Sequence, residues 1–220
     1  MPVFAKQISI TDLEMQDFES TKNVFKLPNH YQYGFGSAGF GSRREIESHK
    51  MTTDWVLKDE CPNFPLMYGY RVMPKEKSPP LTKEQLEKRE EDIKYWGGNE
   101  QVRNRLQAID ESSHKAVIIL ESIPMNLNQY LYKKTPESKE DSKPKVNPNS
   151  PDVAMVEHQL KSTINFMKSK GMVHFDAHHG NILTDGNQIY FSDFGLTMSK
   201  DFDLSDGERE FLDQHHSYDQ

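Results

Sequence analysis

The chain has 220 residues and a formal net charge of −7, a size that suits one sizeable core or two small lobes. The acidic balance argues against a nucleic-acid partner, because a protein that binds the phosphate backbone is expected to carry a basic face. No long apolar segment follows a basic flank, so neither a signal peptide nor a membrane span is predicted. Cys61 is the single cysteine, which favours a reducing, cytoplasmic compartment. Delivery into another cell by a route that needs no signal peptide stays open.

The first part of the chain combines an acidic segment with a short apolar run. Residues 1–22 are predicted to form an N-terminal extension with a short helix around Thr11 to Ser20. The run from Asn23 to Pro28 is typical of a short strand that the proline ends. Lys26 would therefore lie near the end of a strand.

A glycine-rich segment comes next, with four glycines between Gly34 and Gly41. Backbone N–H groups that lack neighbouring side chains, at the mouth of a helix, form a natural anion cradle. The pattern therefore makes Gly34, Gly36 and Gly39 candidates for phosphate binding, although a lone G-x-G-x-x-G is a weak signal.

One helix and one strand are predicted after the glycines. The helix runs from about Arg43 to Leu57, because Ser42 followed three residues later by Glu45 is a capping-box signature. The apolar run from Tyr68 to Met73 is predicted to be a strand. Both elements belong to the predicted domain that covers residues 23–123.

Residues 74–113 are predicted to be a helical insertion. Leu81 to Trp96 forms a charged helix, and a second helical run carries Val102, Leu106 and Ile109 on one face. A segment of about forty residues is longer than most structureless loops, which is consistent with added structure. Packing against the core and docking of a partner are both compatible with this pattern.

The next elements alternate between apolar and polar segments. Ala116 to Leu120 is predicted to be a buried strand, and Leu127 to Tyr132 begins a helix. Residues 133–151 are rich in Lys, Glu, Ser and Pro, which predicts a mobile tether. Apolar residues from Val156 to Met167 recur at helical spacing, and Gly171 ends that helix.

The stretch from Met172 to Leu196 carries the chemistry. Asp185-Gly186 between two apolar runs is a strong hairpin signal, so Asn181 and Asp193 are expected at the same end of a small ribbon. Two oxygen donors that converge beside Asp176 suit Mg²⁺, which prefers a few hard oxygen ligands together with substrate phosphates. The sequence therefore predicts a magnesium–phosphate site here.

His174-Phe175-Asp176 through Asn181, followed by Asp193-Phe194-Gly195, resembles the catalytic loop and metal-binding triplet of the eukaryotic-type (Ser/Thr) protein kinase family. The resemblance implies an α+β, bilobal fold with a small β-rich N-lobe over residues 23–123 and a reduced helical C-lobe over residues 124–220. It also implies transfer of the ATP γ-phosphoryl group, with Mg²⁺, to a protein hydroxyl.

The resemblance assigns roles to matching positions. Asp176 would be the catalytic base, while Asn181 and Asp193 would hold Mg²⁺ on the nucleotide. Glu121 and Ile123 would bind adenine through their main chain, as the hinge does in the family.

The N-lobe assignments are less direct. Lys26 would be the strand lysine that contacts the α and β phosphates, with Lys58 as the alternative. Either Glu45 or Glu47 would pair with that lysine. The glycine-rich segment follows Lys26, whereas the family's glycine loop precedes the lysine strand, so the phosphate loop would be displaced to the start of the helix.

Two departures from the family pattern bear on activity. Phe175 replaces the usual Arg, which makes activation by loop phosphorylation doubtful. His178 stands where protein kinases carry Lys, and a D-x-H-x-x-N run is closer to aminoglycoside and choline phosphotransferases, so His178 is a second catalytic candidate. A small-molecule kinase is therefore one alternative. The displaced glycine loop and the few residues after Gly195 make an inactive pseudokinase that acts as an interaction module the other alternative.

Overall fold

The computed structural model describes residues 2–34, 37–76, 79–132 and 149–220. Its strands are β1 (Val3–Ile10), β2 (Met67–Pro74), β3 (His114–Glu121), β4 (Met125–Asn126), β5 (Met172–Val173), β6 (Ile182–Thr184), β7 (Ile189–Phe191) and β8 (Met198–Ser199). Its helices are α1 (Asp12–Met15), α2 (Ser42–Leu57), α3 (Lys83–Tyr95), α4 (Glu100–Glu111), α5 (Leu127–Leu131), α6 (Pro151–Ser169) and α7 (Asp206–Gln214). Two 3₁₀ turns cover Asn29–Tyr33 and Phe194–Leu196. The fold is α+β.

An antiparallel sheet with the order β1-β3-β2 forms the first layer. Alternate side chains of β3 are buried, and Ile118 packs in one cluster with Ile10 of β1 and Ile46 of α2. This alternation is expected for a sheet with one face on the core. The strands predicted around Ala116 and Tyr68 are confirmed as β3 and β2.

The prediction for the N-terminal third needs two corrections. Residues 3–10 are not a separate extension, because β1 pairs with β3 along its whole length and buries Ile10. The predicted strand from Asn23 to Pro28 is wrong. The Asn23 side chain instead bonds the backbone N–H and C=O of Leu27, at 2.9 and 2.8 Å, which closes a local turn in place of a strand ladder. Lys26 lies in this turn with a φ of 53°.

The predicted helix from Arg43 to Leu57 is confirmed as α2, but its start differs from the capping-box prediction. Ser42 is the first helical residue, and no side chain of the N-cap residue caps the helix. The carboxylate of Glu14 accepts the Ser42 backbone N–H at 2.8 Å instead. The Glu14 side chain, from a distant part of the chain, therefore caps the helix start that the sequence assigned to Ser42 and Glu45.

Both helices of the predicted insertion are present as α3 and α4. Arg89 of α3 pairs with Asp110 of α4, which joins the two helices. Their apolar residues pack against the segment that precedes α2, in a cluster of Leu27, Tyr31, Phe40, Trp96 and Val102. The insertion therefore packs on the glycine-containing segment.

A second core lies between α6 and the β6–β7 hairpin, with Val156, Met167 and Phe191 among its buried residues. The predicted hairpin and helix are thus confirmed. The predicted tether over 133–151 falls largely on residues 133–148, which lie outside the described residues. Its last residue, Pro151, already belongs to α6, where Ser150 caps the first turn.

The C-terminal part of the chain packs on the stretch from Met172 to Leu196. The β5–β8 pair and α7 enclose an apolar cluster that includes Val173, Phe175, Leu204 and Leu212. Ser205 caps the start of α7, and Glu208 completes a capping box with it. Within the described ranges, no helix is long and apolar enough to cross a lipid bilayer.

Candidate active site

The centre of the site is an ion-pair group formed by three separate elements. Lys6 Nζ, on β1, lies 2.5 Å from Glu45 Oε1 of α2 and 2.7 Å from Asp193 Oδ1, which follows β7. The side chains of Lys6 and Glu45 are 23% and 6% exposed. The sheet, α2 and the hairpin therefore meet at one partly buried cation.

The charges in this group support one another. Burial by itself would lower the pKa of Lys6, but the adjacent Glu45 and Asp193 carboxylates outweigh it and raise the pKa above the ordinary value. Burial would likewise raise the pKa of Asp193, yet the Lys6 charge and hydrogen bond bring it below the usual range. Lys6 is therefore an ammonium and Asp193 a carboxylate at neutral pH.

The β6–β7 hairpin sets the position of Asp193. Asn181 O accepts hydrogen bonds from Ser192 N at 2.9 Å and Ser192 Oγ at 2.7 Å, so Asp193 leaves the ribbon beside Asn181. The backbone of Asp193 adopts the left-handed conformation, with a φ of 62°. Such a conformation costs about 1–3 kcal/mol at a non-glycine residue, and strain of this kind concentrates at functional sites.

Asp176 lies on the same side of the hairpin. Asn181 Nδ2 donates to the Asp176 carboxylate at 2.8 Å and to its backbone carbonyl at 3.0 Å, which locks the two side chains together. Burial raises the pKa of Asp176 above that of an ordinary aspartate, while the neighbouring His178 and His174 act in the opposite direction. A carboxylate with a raised pKa is a better proton acceptor near neutral pH than a free one.

Asp219, near the C-terminus, bonds the backbone of the loop that leads to Asp176. The Asp219 carboxylate accepts the N–H groups of His174 and Phe175 at 2.7 and 3.0 Å. The His174 ring is fully buried, and its Nε2 lies 3.0 Å from Ser192 O. Sequence reasoning missed Asp219, since no local pattern marks a carboxylate that bonds a distant loop.

Phe175 packs in an aromatic cluster. Its ring lies 4.9 Å from that of Tyr218 and 5.9 Å from that of Phe211, and the side chain is buried. Its φ is 64°, so this residue also adopts the left-handed conformation. An apolar contact to α7 therefore stands at the position where the family pattern has an arginine.

A cavity of about 300 Å³ opens beside the Lys6 group. Its walls are formed by Phe4, Lys6, His49, Pro65, Leu120, Glu121, Ser122, Ile123, Gly180, Asn181, Leu183, Ser192 and Asp193. This size and its mixed lining suit a small organic ligand with a few fixed polar contacts. Glu121 and Ile123, the predicted hinge residues, thus line the same cavity as Asp193.

His49 forms the inner wall of this cavity. It is fully buried, its ring lies edge-on to Phe194 at 4.8 Å, and neither ring nitrogen has a hydrogen-bond partner among the described residues. Burial, reinforced by the charge of Lys6, lowers the pKa of His49 to about 3. His49 is therefore a neutral side chain behind the Lys6–Asp193 pair.

Lys26, the predicted phosphate-binding lysine, lies away from the site. Lys26 borders a separate surface pocket beside Leu204, so its assignment as the phosphate lysine is wrong. The lysine that pairs with Glu45 and lines the cavity is Lys6. The run Val3-Phe4-Ala5-Lys6 resembles the V-A-I-K pattern of the family and would have identified it.

The alternative pairing partner, Glu47, is also excluded. Its carboxylate pairs with Arg43 at 2.6 Å and Lys50 at 2.7 Å, on a different face of α2 from Glu45. Lys58, the alternative lysine, caps the end of α2 and pairs with Asp54. Glu45 alone of the predicted pair faces β1.

Gly34 and Gly39 are absent from the lining of the cavity, and Gly36 lies outside the described residues. A Cβ on Gly39 would lie 2.5 Å from Gly195 O, and one on Gly34 would lie 3.0 Å from the Leu196 side chain. These glycines allow close packing on the Asp-Phe-Gly segment, and the start of α2 is already filled by Glu14. Gly39 therefore serves close packing and not the predicted phosphate cradle. A Cβ on Gly34 would also lie 3.5 Å from Asp176 Oδ1, so Gly34 lies beside the site and its phosphate-binding role stays a prediction.

His178 lies at the exposed rim of the site. Its Nε2 is 3.8 Å from Asp176 Oδ1, its Nδ1 accepts the Gly180 N–H at 3.0 Å, and its side chain is 60% exposed. This position leaves the imidazole accessible to a molecule that approaches Asp176.

The donor set fits a magnesium ion shared with a phosphate ligand. No group of three or more His, Cys, Asp or Glu side chains in the described part of the chain forms a metal cage. Mg²⁺ is usually held by one or two protein oxygens, with phosphates and water completing the octahedron. The ionised Asp193 and the amide of Asn181, side by side at the hairpin end, match that requirement.

Comparison with known proteins agrees with this geometry. A family model described as protein tyrosine and serine/threonine kinase matches residues 78–211, well over half of the chain. A search of curated proteins found no match. The matched stretch contains Asp176, Asn181 and Asp193 and begins after Lys6 and Glu45.

Proposed function

Because the chain belongs to the protein tyrosine and serine/threonine kinase family, we propose that it is an ATP- and Mg²⁺-dependent protein kinase acting on Ser or Thr hydroxyls. The observation that carries the proposal is the convergence of Lys6, Glu45 and Asp193 beside the Asp176–Asn181 pair. Each of these side chains matches a part that phosphoryl transfer requires.

We place the nucleotide in the cavity beside Lys6. The adenine ring would lie against the main chain of Glu121 to Ile123, and Lys6 would contact the phosphates. Asp193 and Asn181 would hold Mg²⁺, which neutralises charge on the phosphates when bound. The cavity would then lie between a small lobe, formed by the β1-β3-β2 sheet and α2, and a larger helical lobe.

Asp176 would orient the acceptor hydroxyl and take its proton. Its carboxylate is fixed by Asn181, and its raised pKa favours proton acceptance. In phosphoryl transfer, positioning and electrostatic stabilisation lower most of the barrier, so a rigid Asp176–Asn181–Asp193 arrangement is the feature that matters. We assign the protein to a reducing, cytoplasmic compartment on the basis of its single cysteine.

One observation favours a second candidate, a small-molecule kinase related to aminoglycoside and choline phosphotransferases. His178 stands at the rim beside Asp176, where it could bond a polar hydroxyl of a small acceptor. A third candidate is an inactive pseudokinase, in which the same residues bind a nucleotide without turnover.

Transfer of radiolabel from [γ-³²P]ATP distinguishes these candidates. We expect label on protein in a cell lysate with wild type, and none with Asp193→Ala. Asp213→Ala is the matched control, since Asp213 is an exposed aspartate of α7. Label found solely in a low-mass product would favour the small-molecule kinase, and absence of any turnover in wild type would favour the pseudokinase.

A further inference from the structure

A buried carboxylate joins the elements that carry Lys6 and Glu45. Glu14 Oε2 accepts the backbone N–H and the hydroxyl of Thr11, at 2.8 and 2.7 Å, directly after β1 ends at Ile10. Glu14 Oε1 accepts the backbone N–H of Ser42, the first residue of α2. One carboxylate therefore connects the strand of Lys6 to the helix of Glu45.

The cation that neutralises this carboxylate comes from the insertion. Arg105 of α4 lies 2.7 Å from Glu14 Oε2, and its side chain is 3% exposed. No other ion pair to Glu14 is found in the described part of the chain. The Arg105 guanidinium also lies 5.1 Å from the centre of the Phe25 ring, which fixes its orientation.

The charge of Arg105 has an identifiable effect on Glu14. Burial would raise the pKa of the Glu14 carboxyl, but Arg105 and the hydrogen bonds from Thr11 bring it below the ordinary value. Glu14 is therefore ionised while buried, a state that needs a paired cation. The ionised carboxylate is also the group that bonds the start of α2, where the helix dipole favours a negative charge.

We propose that Arg105 is a positioning residue for the Lys6–Glu45 pair and that the helical insertion serves to hold α2 against β1. This inference rests on the proposed function and deepens it, since it assigns a role in Mg-ATP binding to a segment outside the nucleotide cavity. Glu45 lies one helical turn after Ser42, so a shift of the first turn of α2 moves Glu45 directly.

Loss of the Arg105 charge has a defined consequence. Glu14 must then either take up a proton or turn towards water, because an unpaired buried carboxylate is unfavourable. Either response weakens its bond to Ser42 N and loosens the start of α2. A second tether, the buried Arg44–Glu208 pair at 2.6 Å, keeps α2 attached to α7, so the helix shifts without detaching.

Chemical reactivity of Lys6 tests the inference without requiring turnover. A lysine held between two carboxylates reacts slowly with an acylating reagent, whereas Lys83, with a 92% exposed side chain, serves as an internal standard. In Arg105→Met we expect Lys6 acylation, followed by mass spectrometry, to rise on the order of tenfold, within the range of about 5–150-fold typical of site–site coupling. The matched control is Arg103→Met, which removes an arginine from the exposed side of the same helix, where it pairs with Glu90 and Glu100.

Nucleotide affinity is the second readout. We expect Arg105→Met to weaken Mg-ATP binding on the order of tenfold, while Arg105→Lys restores most of the affinity and Arg103→Met leaves it unchanged. If Arg105→Met does not fold, the double variant Glu14→Gln with Arg105→Met, which leaves no buried charge, replaces it in both assays. That variant should still show raised Lys6 acylation, because a neutral amide bonds the start of α2 more weakly than a carboxylate.

The outcomes separate the two claims. A folded Arg105→Met protein, or the double variant in its place, with Lys6 acylation and Mg-ATP affinity within about twofold of wild type would overturn the positioning role. If wild type binds no Mg-ATP, the proposed function fails, yet the Lys6 acylation comparison still decides whether Arg105 positions the pair.

Discussion

At the scale of single residues, the site depends on how each charge is balanced. Lys6 lies between two carboxylates, and Asp193 lies beside a cation. Asp176 is partly buried and accepts a hydrogen bond from an amide. The pKa of Lys6 and Asp193 therefore favours their charged forms, whereas that of Asp176 is shifted towards the neutral acid. This division agrees with the proposal that Lys6 and Asp193 bind phosphate and metal and that Asp176 accepts a proton.

The raised pKa of Asp176 has a consequence for stability. Its folded-state pKa lies above that of the unfolded chain, so the ionised carboxylate destabilises the folded protein at neutral pH. We expect Asp176→Asn to raise the unfolding temperature at pH 7, and to lower the phosphoryl transfer rate by about 10²-fold or more. The gain in stability should shrink as the pH falls through the raised pKa, because the wild-type residue then becomes neutral.

Thermal unfolding of both proteins across pH, together with single-turnover transfer rates, checks this expectation. A variant that is less stable than wild type at pH 7 would show that Asp176 is a structural anchor.

At the scale of elements, α2 is fixed at several points. Glu14 bonds its start, Arg44 pairs with Glu208 of α7, and Glu45 pairs with Lys6. Each contact joins α2 to a different element, so the position of Glu45 depends on β1, α1 and α7 together.

The Arg44–Glu208 pair should contribute strongly to stability. Both side chains are at most 4% exposed, and Glu208→Gln would leave a buried guanidinium without its counter-charge. We expect this change to lower the free energy of unfolding by about 3–5 kcal/mol at pH 7. Glu210→Gln is the matched control, because Glu210 is exposed on the same helix.

The effect of Glu208→Gln should depend on pH. Burial would raise the pKa of Glu208, but Arg44 and the bonds from Ser205 bring it below the ordinary value of 4.5. Its stabilisation is therefore present above about pH 4.5 and is lost as the pH falls through the lowered pKa. Urea unfolding at pH 7 and in acid measures the difference, and an effect that stays constant in acid would contradict an ionic origin.

The close packing of Gly39 on the Asp-Phe-Gly segment can be tested by substitution. Gly39 and Gly98 both have a φ of 70°, but a Cβ on Gly39 meets Gly195 O at 2.5 Å, whereas none of the described atoms lies within 4 Å of a Cβ on Gly98. We expect Gly98→Ala to cost about 1–2 kcal/mol from backbone strain alone. Gly39→Ala should cost more and also slow transfer, since it displaces the backbone that follows Asp193.

Comparison of the two alanine variants by urea unfolding and transfer rate isolates the clash. Equal stability losses with unchanged rates would show that Gly39 does not support the Asp-Phe-Gly segment.

At the scale of the whole molecule, the sequence predicted the parts of the site that are local. Asp176, Asn181 and Asp193 lie within eighteen residues, and a single hairpin brings the last two together, so spacing and turn chemistry were sufficient. The helices α2, α3, α4 and α6 were likewise predicted, since periodicity and end signals are local properties.

The remaining parts depend on contacts between distant segments. Lys6 belongs to the site because it pairs with Glu45 and Asp193. Asp219 belongs to it because its carboxylate bonds the backbone of His174 and Phe175, 45 and 44 residues earlier in the chain. The Ser42–Glu45 capping box failed because Glu14, from another element, bonds the helix start. Local sequence cannot rank a nearby partner against a distant one when both satisfy the same hydrogen bond.

The central claim is that Lys6, Asn181 and Asp193 bind Mg-ATP. Thermal or urea unfolding with and without ATP and Mg²⁺ tests it directly, using wild type, Asp193→Ala and the control Asp213→Ala. At a ligand concentration of about 100 Kd, wild type should gain about 2.7 kcal/mol, and Asp213→Ala should gain the same. Asp193→Ala should lose the magnesium-dependent part of this gain, and an Asp193→Ala protein stabilised as much as wild type would contradict the account.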